Sequence, residues 1–147
     1  MKKTLLTILF LFYLSSAFAC DCKIISKAEN YEYSVLILTA KIDSNLNNGH
    51  VISVLETFKN TIDKSITLIY ENSCSIAPKV GETWLLYAHK VEGNKIYVSQ
   101  CSWSRSFSNP ICLYNTPYQK DTNTKQSATG ELHKDIQQLR KLKKAQD

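Results

Sequence analysis

The chain lacks a membrane-spanning run, a strong charge excess and a recognisable catalytic motif. Its longest apolar stretch runs from Leu5 to Leu14, well short of the roughly 20 residues that a transmembrane helix needs. Nucleophile motifs, phosphate loops and metal-hydrolase spacings are missing, which argues against an enzyme and against a cofactor. The formal net charge is +5 and falls to +3 if Lys2 and Lys3 are removed with an N-terminal signal segment, which is too mild to demand a nucleic-acid or membrane partner.

Residues 1–19 have the three parts of a secretory signal peptide. Lys2 and Lys3 precede the apolar run, and Ala17-Phe18-Ala19 ends it with the small residues that signal peptidase accepts. Cleavage would make Cys20 the first residue of a protein that is secreted or held in the cell envelope. Lipid attachment at Cys20 is the rival, but the bulky Phe18 fits the lipoprotein recognition box poorly.

All five cysteines lie in the 128 of 147 residues that remain after cleavage. An oxidising compartment makes disulfides more probable than a metal site. Structural zinc sites use C-x2-4-C spacing, and only Cys20 and Cys22 are close together, so no metal site is expected. An odd count leaves one cysteine free, lipidated or joined to another chain. Spacing alone also permits a local Cys101–Cys112 bridge.

The middle of the chain reads as five short strands. Asn45–Gly49 predicts a hairpin turn between the first two, and Glu92-Gly93-Asn94 predicts another between the last two. Ile52, Val54 and Phe58 are predicted to share one strand face. Five strands at this spacing predict a mainly β fold, a small closed or partly open OB-like barrel. The predicted strands are Ser34–Asp43, Val51–Phe58, Ser65–Tyr70, Thr83–Val91 and Lys95–Cys101.

The pattern changes towards the C-terminus. The barrel domain is assigned to residues 20–112, a loop to 113–128 and a helix to 129–147. Leu132, Ile136, Leu139 and Leu142 recur at helical spacing, and Gly130 suits the helix start. This narrow stripe predicts packing against the barrel and not insertion into a membrane.

Other candidate side chains are better explained by structural roles. The scattered histidines are interpreted as structural and not as metal ligands. Exposed aromatics on an OB barrel can stack on bases, but export and modest charge favour packing and no nucleic-acid partner. The histidines are His50, His89 and His133, and the aromatics are Trp84, Tyr87 and Tyr97.

Several blocks together resemble the tissue inhibitors of metalloproteinases and their bacterial relatives in the netrin-like group. The resemblance covers roughly residues 20–107, and Asn60 replaces the glycine of the family's aromatic-Lys-Gly turn while tolerating the same left-handed backbone. The blocks are Ala19-Cys20-Asp21-Cys22, Val54–Asn60, Ser73-Cys74-Ser75, Val80–Ala88 and Cys101-Ser102-Trp103-Ser104-Arg105.

The resemblance implies a five-stranded OB-type barrel with disulfides Cys20–Cys74 and Cys22–Cys101. Cys112 is then the odd thiol. It further implies inhibition of a zinc metalloprotease, in which the amine and carbonyl of Cys20 chelate the target's zinc. Cys20, Asp21 and Cys22 would form the inhibitory edge.

Asp21 stands where the family places the residue that enters the protease's specificity pocket. A carboxylate in an apolar pocket costs several kcal/mol unless it is paired, so strong inhibition of a typical matrix metalloproteinase is not expected. The alternative function is a non-inhibitory envelope interaction module, anchored by lipid at Cys20. Lipidation would remove the chelating amine and the Cys20 disulfide together.

Overall fold

The computed structural model of the protein describes residues 20, 22–23, 25–111 and 125–146. The predicted signal peptide, Asp21 and Cys112 lie outside these residues. Within them are two helices and seven strands: α1 Lys27–Tyr33, β1 Leu36–Leu46, β2 Gly49–Lys59, β3 Ser65–Ile69, β4 Thr83–Ala88, β5 Lys90–Glu92, β6 Lys95–Tyr97, β7 Arg105–Ser106 and α2 Lys125–Lys144. No helix in the described part of the chain is long and apolar enough to cross a membrane.

The strands form one sheet in the order β5-β6-β3-β2-β1-β4-β7, which curls into a half-barrel. All neighbouring strands are antiparallel except β3 and β6, which are parallel. The mainly β prediction is confirmed, but the count of five strands is not. The predicted fourth strand divides at His89 into β4 and β5, and β7 was not predicted.

The two faces of the curled sheet bury separate apolar clusters. The inner cluster includes Leu38, Ile52 and Leu86, all fully buried. The outer cluster joins the other face of the sheet to Trp103 and to one side of α2. A single sheet thus contributes to two cores, and α2 covers the outer one as its apolar stripe predicts. Leu132, Ile136 and Leu139 are buried, whereas Leu142 is 38% exposed.

Two irregularities in β2 correct the predicted strand face. The pairing with β1 skips Leu55 and then Phe58, because Ala40 and Thr39 face Val54 and Glu56, and Leu38 and Ile37 face Thr57 and Lys59. An extra residue reverses which side chains point inwards, and of the two skipped residues only Leu55 lies between Val54 and Phe58. Ile52 and Val54 therefore belong to the inner cluster, but Phe58 belongs to the outer one.

The end of β2 holds α1 against the sheet. Asn60 has a φ of 58°, the left-handed conformation expected where the family pattern has glycine, and its side-chain amide donates to the carbonyl of Val35 at 2.6 Å. The ammonium of Lys59 donates to the carbonyl of Tyr31 at 2.7 Å. The Lys59 side chain thereby satisfies a carbonyl group at the C-terminal end of α1, where carbonyls have no partner within the helix.

Helix α2 begins at Lys125 and so includes Gly130 in its interior. The prediction that Gly130 starts the helix is wrong, because the helix extends upstream over residues 125–129, in which the buried Ala128 is the one apolar residue. Gly130 makes no contact that an added Cβ would disturb, since nothing lies within 4 Å of that position.

Replacing Gly130 with alanine should therefore stabilise the protein. Alanine restricts the unfolded chain and favours the helix, so the free energy of unfolding should rise by about 0.5–1 kcal/mol. Urea denaturation measures the change. Gly93→Ala is the matched control, because Gly93 has a φ of 55° and alanine there should destabilise. A lower stability for Gly130→Ala would contradict the helical assignment at this residue.

Candidate functional site

Two disulfides tie the N-terminal strip to the sheet. Cys20 is bonded to Cys74 with Cα atoms 5.5 Å apart, and Cys22 to Cys101 with Cα atoms 5.2 Å apart. These are the pairs that the family resemblance implies. Asp21, between the two anchored cysteines, and Cys112 lie outside the described residues. We call residues 20–22 the N-terminal strip.

Both receiving cysteines lie on neighbouring loop segments that hydrogen-bond to each other. Ser75 and Ser99 form an isolated antiparallel bridge. The backbone N–H of Ile76 donates to the carbonyl of Val98 at 3.1 Å, and that of Gln100 donates to the carbonyl of Cys74 at 2.8 Å. The strip is therefore fastened at two points to one connected surface, which limits its freedom to move relative to the sheet.

Gln100 adds a third attachment to the strip. Its side-chain amide donates to the sulfur of Cys20 at 2.7 Å and to the carbonyl of Ser73 at 3.3 Å. The turn around Cys74 is itself closed by the side chain of Asn72, which accepts from the Cys74 N–H at 2.8 Å. Cys20 is thus held by a covalent bond to Cys74 and by a hydrogen bond from Gln100, which also contacts the turn around Cys74.

An ion cluster joins α1, the helix that follows the N-terminal strip in the sequence, to β7 and α2. The guanidinium of Arg105, on β7, donates to Asp135 of α2, and the ammonium of Lys27, on α1, lies 2.7 Å from the other oxygen of Asp135. The side chains of Arg105 and Asp135 are only 1% and 8% exposed. The three residues join β7, α1 and α2. Arg105 belongs to one of the blocks that carry the family resemblance, but nothing in the sequence predicted that Asp135 is its partner.

Trp103 links this cluster to the strip. Its indole N–H donates to the carbonyl of Ile25 at 2.9 Å, and the ammonium of Lys27 lies 5.2 Å from its ring centroid. Trp103 is 1% exposed. The chain leaving the strip is therefore held by a buried aromatic residue between the sheet and α2.

The three histidines lie apart. His50 is buried at the end of the β1–β2 hairpin, His89 is exposed near Glu71, and His133 is exposed on α2. No group of three metal-binding side chains occurs among the residues that the structure describes. The aromatics are equally dispersed: Trp84 packs against the inner cluster, Tyr87 belongs to the outer one, and Tyr97 donates to Glu92.

Acid should destabilise the protein through His50. This ring is 4% exposed and shares a hydrogen bond with the Tyr70 hydroxyl; burial lowers its pKa below 6.5, against a smaller opposing effect from the backbone of Ser44. The unfolded chain then binds a proton more readily, so stability should fall as pH drops below 6.5, by at most about 1.4 kcal/mol per pH unit.

Urea titrations at several pH values below 7 measure this slope. His50→Gln should flatten it, whereas His133→Gln, at an exposed helix position, should leave it unchanged. An identical slope in the wild type and in His50→Gln would assign the acid sensitivity to other groups.

Comparison of the chain with protein-family models finds no match. A search of curated proteins also finds no significant match.

Proposed function

We propose that the protein is a secreted inhibitor of a zinc metalloendopeptidase, of the netrin-like type, which acts through Cys20. One observation carries the proposal: both cysteines of the N-terminal strip are joined to the same hydrogen-bonded surface. A terminal amine fixed in this way can enter a catalytic cleft without a large loss of conformational entropy on binding.

The chemistry requires a free amine at Cys20. An α-amine has a pKa of about 8, so a neutral fraction is available near neutral pH. Its nitrogen and the carbonyl oxygen of the same residue can close a five-membered chelate ring on a metal. A catalytic zinc has three protein ligands and one position for water or substrate, and it can expand to five-coordinate. One donor atom of the chelate would displace the nucleophilic water and the other would occupy the fifth position.

Asp21 would determine which metalloproteases the protein inhibits. The resemblance implies that the residue after the chelating one enters the specificity pocket next to the zinc, and that residue is Asp21. A carboxylate loses hydration on entering an apolar pocket, whereas a cationic side chain there would compensate it. The proposed target is therefore a metalloprotease whose specificity pocket is polar or basic.

The fold supports the same proposal. Strands β1, β2, β3, β4 and β6 account for most of the inner cluster, and β1 joins β2 to β4 at the centre of the sheet. A five-stranded, partly open barrel of the OB type can be built from these strands. Strands β5 and β7 would then be additions at the two edges.

The test compares three forms of the exported protein: one beginning at Cys20, one with an alanine before Cys20, and one acetylated at the amine. Inhibition constants against a panel of zinc metalloendopeptidases should rise at least about 100-fold when the amine is extended or acetylated, because the chelate is lost. Intact mass with and without reduction confirms the first residue and two disulfides in each form.

Two outcomes would overturn the proposal. Equal inhibition by all three forms would exclude the Cys20 amine, and a lipid-sized mass increment on Cys20 would show that neither a free amine nor a Cys20–Cys74 bond exists. The second outcome would favour a membrane-tethered interaction module.

A further inference from the structure

A cavity of about 320 Å³ lies beside the two disulfides. Helix α1 contributes Asn30 and Tyr33 to its wall, Lys23, Glu71 and His89 contribute further polar side chains, and Cys74 and Cys101 form part of the boundary with the N-terminal strip. Small-ligand pockets have volumes of about 300–1,000 Å³. This cavity is at the lower end of that range and suits a ligand of dipeptide size.

Asn30 lines this cavity and carries an unsatisfied hydrogen-bond donor, a side-chain nitrogen that the surrounding atoms cover almost completely. The residue is 3% exposed, its backbone groups bond to Ser26 and Ser34, and its side-chain oxygen accepts from the backbone N–H of Trp103 at 3.4 Å. No atom of the described residues accepts from its side-chain nitrogen. Buried donors are rarely left unpaired, so we expect a ligand in the cavity to supply an acceptor for this amide.

The mouth of the cavity supplies the complementary group. The Glu71 carboxylate lies 3.4 Å from the His89 ring nitrogen and 3.4 Å from the Lys90 ammonium, and its side chain is 38% exposed. A carboxylate can accept several hydrogen bonds, so Glu71 can still accept one from a ligand. The cavity therefore combines a buried neutral donor with an exposed acceptor.

We propose that this cavity binds a short uncharged peptide segment. A rotation of the Asn30 amide would bring its covered nitrogen to the cavity surface, where a carbonyl oxygen of the segment would accept from it. A peptide N–H would donate to Glu71, and an apolar side chain would pack against Tyr33 and Ile25, which also line the cavity. The deep donor is an amide and carries no charge, and Lys23, the lysine that lines the cavity, is exposed whereas Asn30 is buried. A charged ligand group beside Asn30 would therefore lose hydration without compensation. The site does not use the Cys20 amine and stands independently of the inhibitory proposal.

The probe is N-acetyl-leucine N-methylamide, titrated into the disulfide-intact protein with the Asn30 side-chain amide followed by NMR. We expect this signal to shift with a Kd on the order of 1 mM, typical of a ligand of this size. N-acetyl-leucine with a free carboxylate is the charged analogue and should bind more weakly. Absence of any shift of the Asn30 amide with the neutral probe would overturn the proposal.

Asn30→Leu should weaken binding about tenfold, because it removes the donor while keeping the branching of the side chain. Asn47→Leu makes the same exchange in the exposed β1–β2 turn and should leave the Kd unchanged. Equal affinity in the wild type and in a folded Asn30→Leu would overturn the proposal.

Two measurements decide the matter if Asn30→Leu does not fold. Glu71→Ala changes only an exposed side chain and should weaken binding several-fold. In the wild type, an NOE between the probe and the Asn30 amide protons would support the site. An NOE from these protons to water that the probe leaves unchanged would overturn it, because water would then satisfy the donor.

Discussion

Asp135→Asn should lower the free energy of unfolding by about 3–5 kcal/mol, the usual cost of removing one partner of a buried ion pair. Asparagine keeps the shape but removes the charge that faces Arg105, whose side chain is 1% exposed. The positive charge of Arg105 would then stay in a poorly solvated place without the carboxylate. Urea denaturation of the disulfide-intact protein measures the loss.

A surface ion pair provides the matched control. Arg140 and Glu56 join α2 to β2 at 2.7 Å, but their side chains are 54% and 33% exposed. Glu56→Gln should therefore cost at most about 1 kcal/mol. A similar loss in both variants would mean that burial does not distinguish the two pairs.

The double variant Arg105→Met with Asp135→Leu tests the mechanism of the loss. Replacing a whole buried ion pair by apolar residues is often neutral or stabilising. The double variant should therefore recover most of the stability that Asp135→Asn loses. If it is as unstable as Asp135→Asn, then the cost comes from the packing around Asp135 and not from the uncompensated charge.

Local sequence patterns predicted the sheet best where a strand or turn depends on its own residues. The β1–β2 hairpin with its polar turn and β3 follow from alternation and turn chemistry. The strand predicted over Lys95–Cys101 is confirmed only as Lys95–Tyr97, and the left-handed Asn60 was expected from the family resemblance. Helix α1 was missed although the sequence carries its signal. Ser26 and Glu29 form a capping box at the start of the helix, and this pattern is readable from sequence alone.

Other features depend on the relation between distant segments. The skipped residues in β2 arise from its pairing with β1, and alternation within β2 predicts a single face throughout. Arg105 and Asp135 are 30 residues apart, and nothing near either residue indicates the other. The amide of Asn30 likewise becomes notable only after α1 is packed against Trp103.

The two disulfides should contribute equally to stability although they span 54 and 79 residues. When one bridge is already formed in the unfolded chain, the second bridge closes a loop that passes through the first. This loop consists of the segment from Cys74 to Cys101 and the short segment from Cys20 to Cys22, whichever bridge forms second. That shared path has about 30 residues, so removing either bridge should cost about 3–4 kcal/mol in the chain-entropy account. The variants Cys20→Ala/Cys74→Ala and Cys22→Ala/Cys101→Ala should have similar urea midpoints.

Removing both bridges should cost about 8 kcal/mol, because the last bridge removed closes a longer loop than the first. A loss of this size is comparable to the whole stability of a typical domain, about 5–15 kcal/mol, so the protein without bridges should be largely unfolded or close to it. All variants carry Cys112→Ser, which prevents the odd thiol from forming a new bridge. A much larger loss from the Cys22–Cys101 pair alone would show that its loop acts independently, and the shared path would then be wrong.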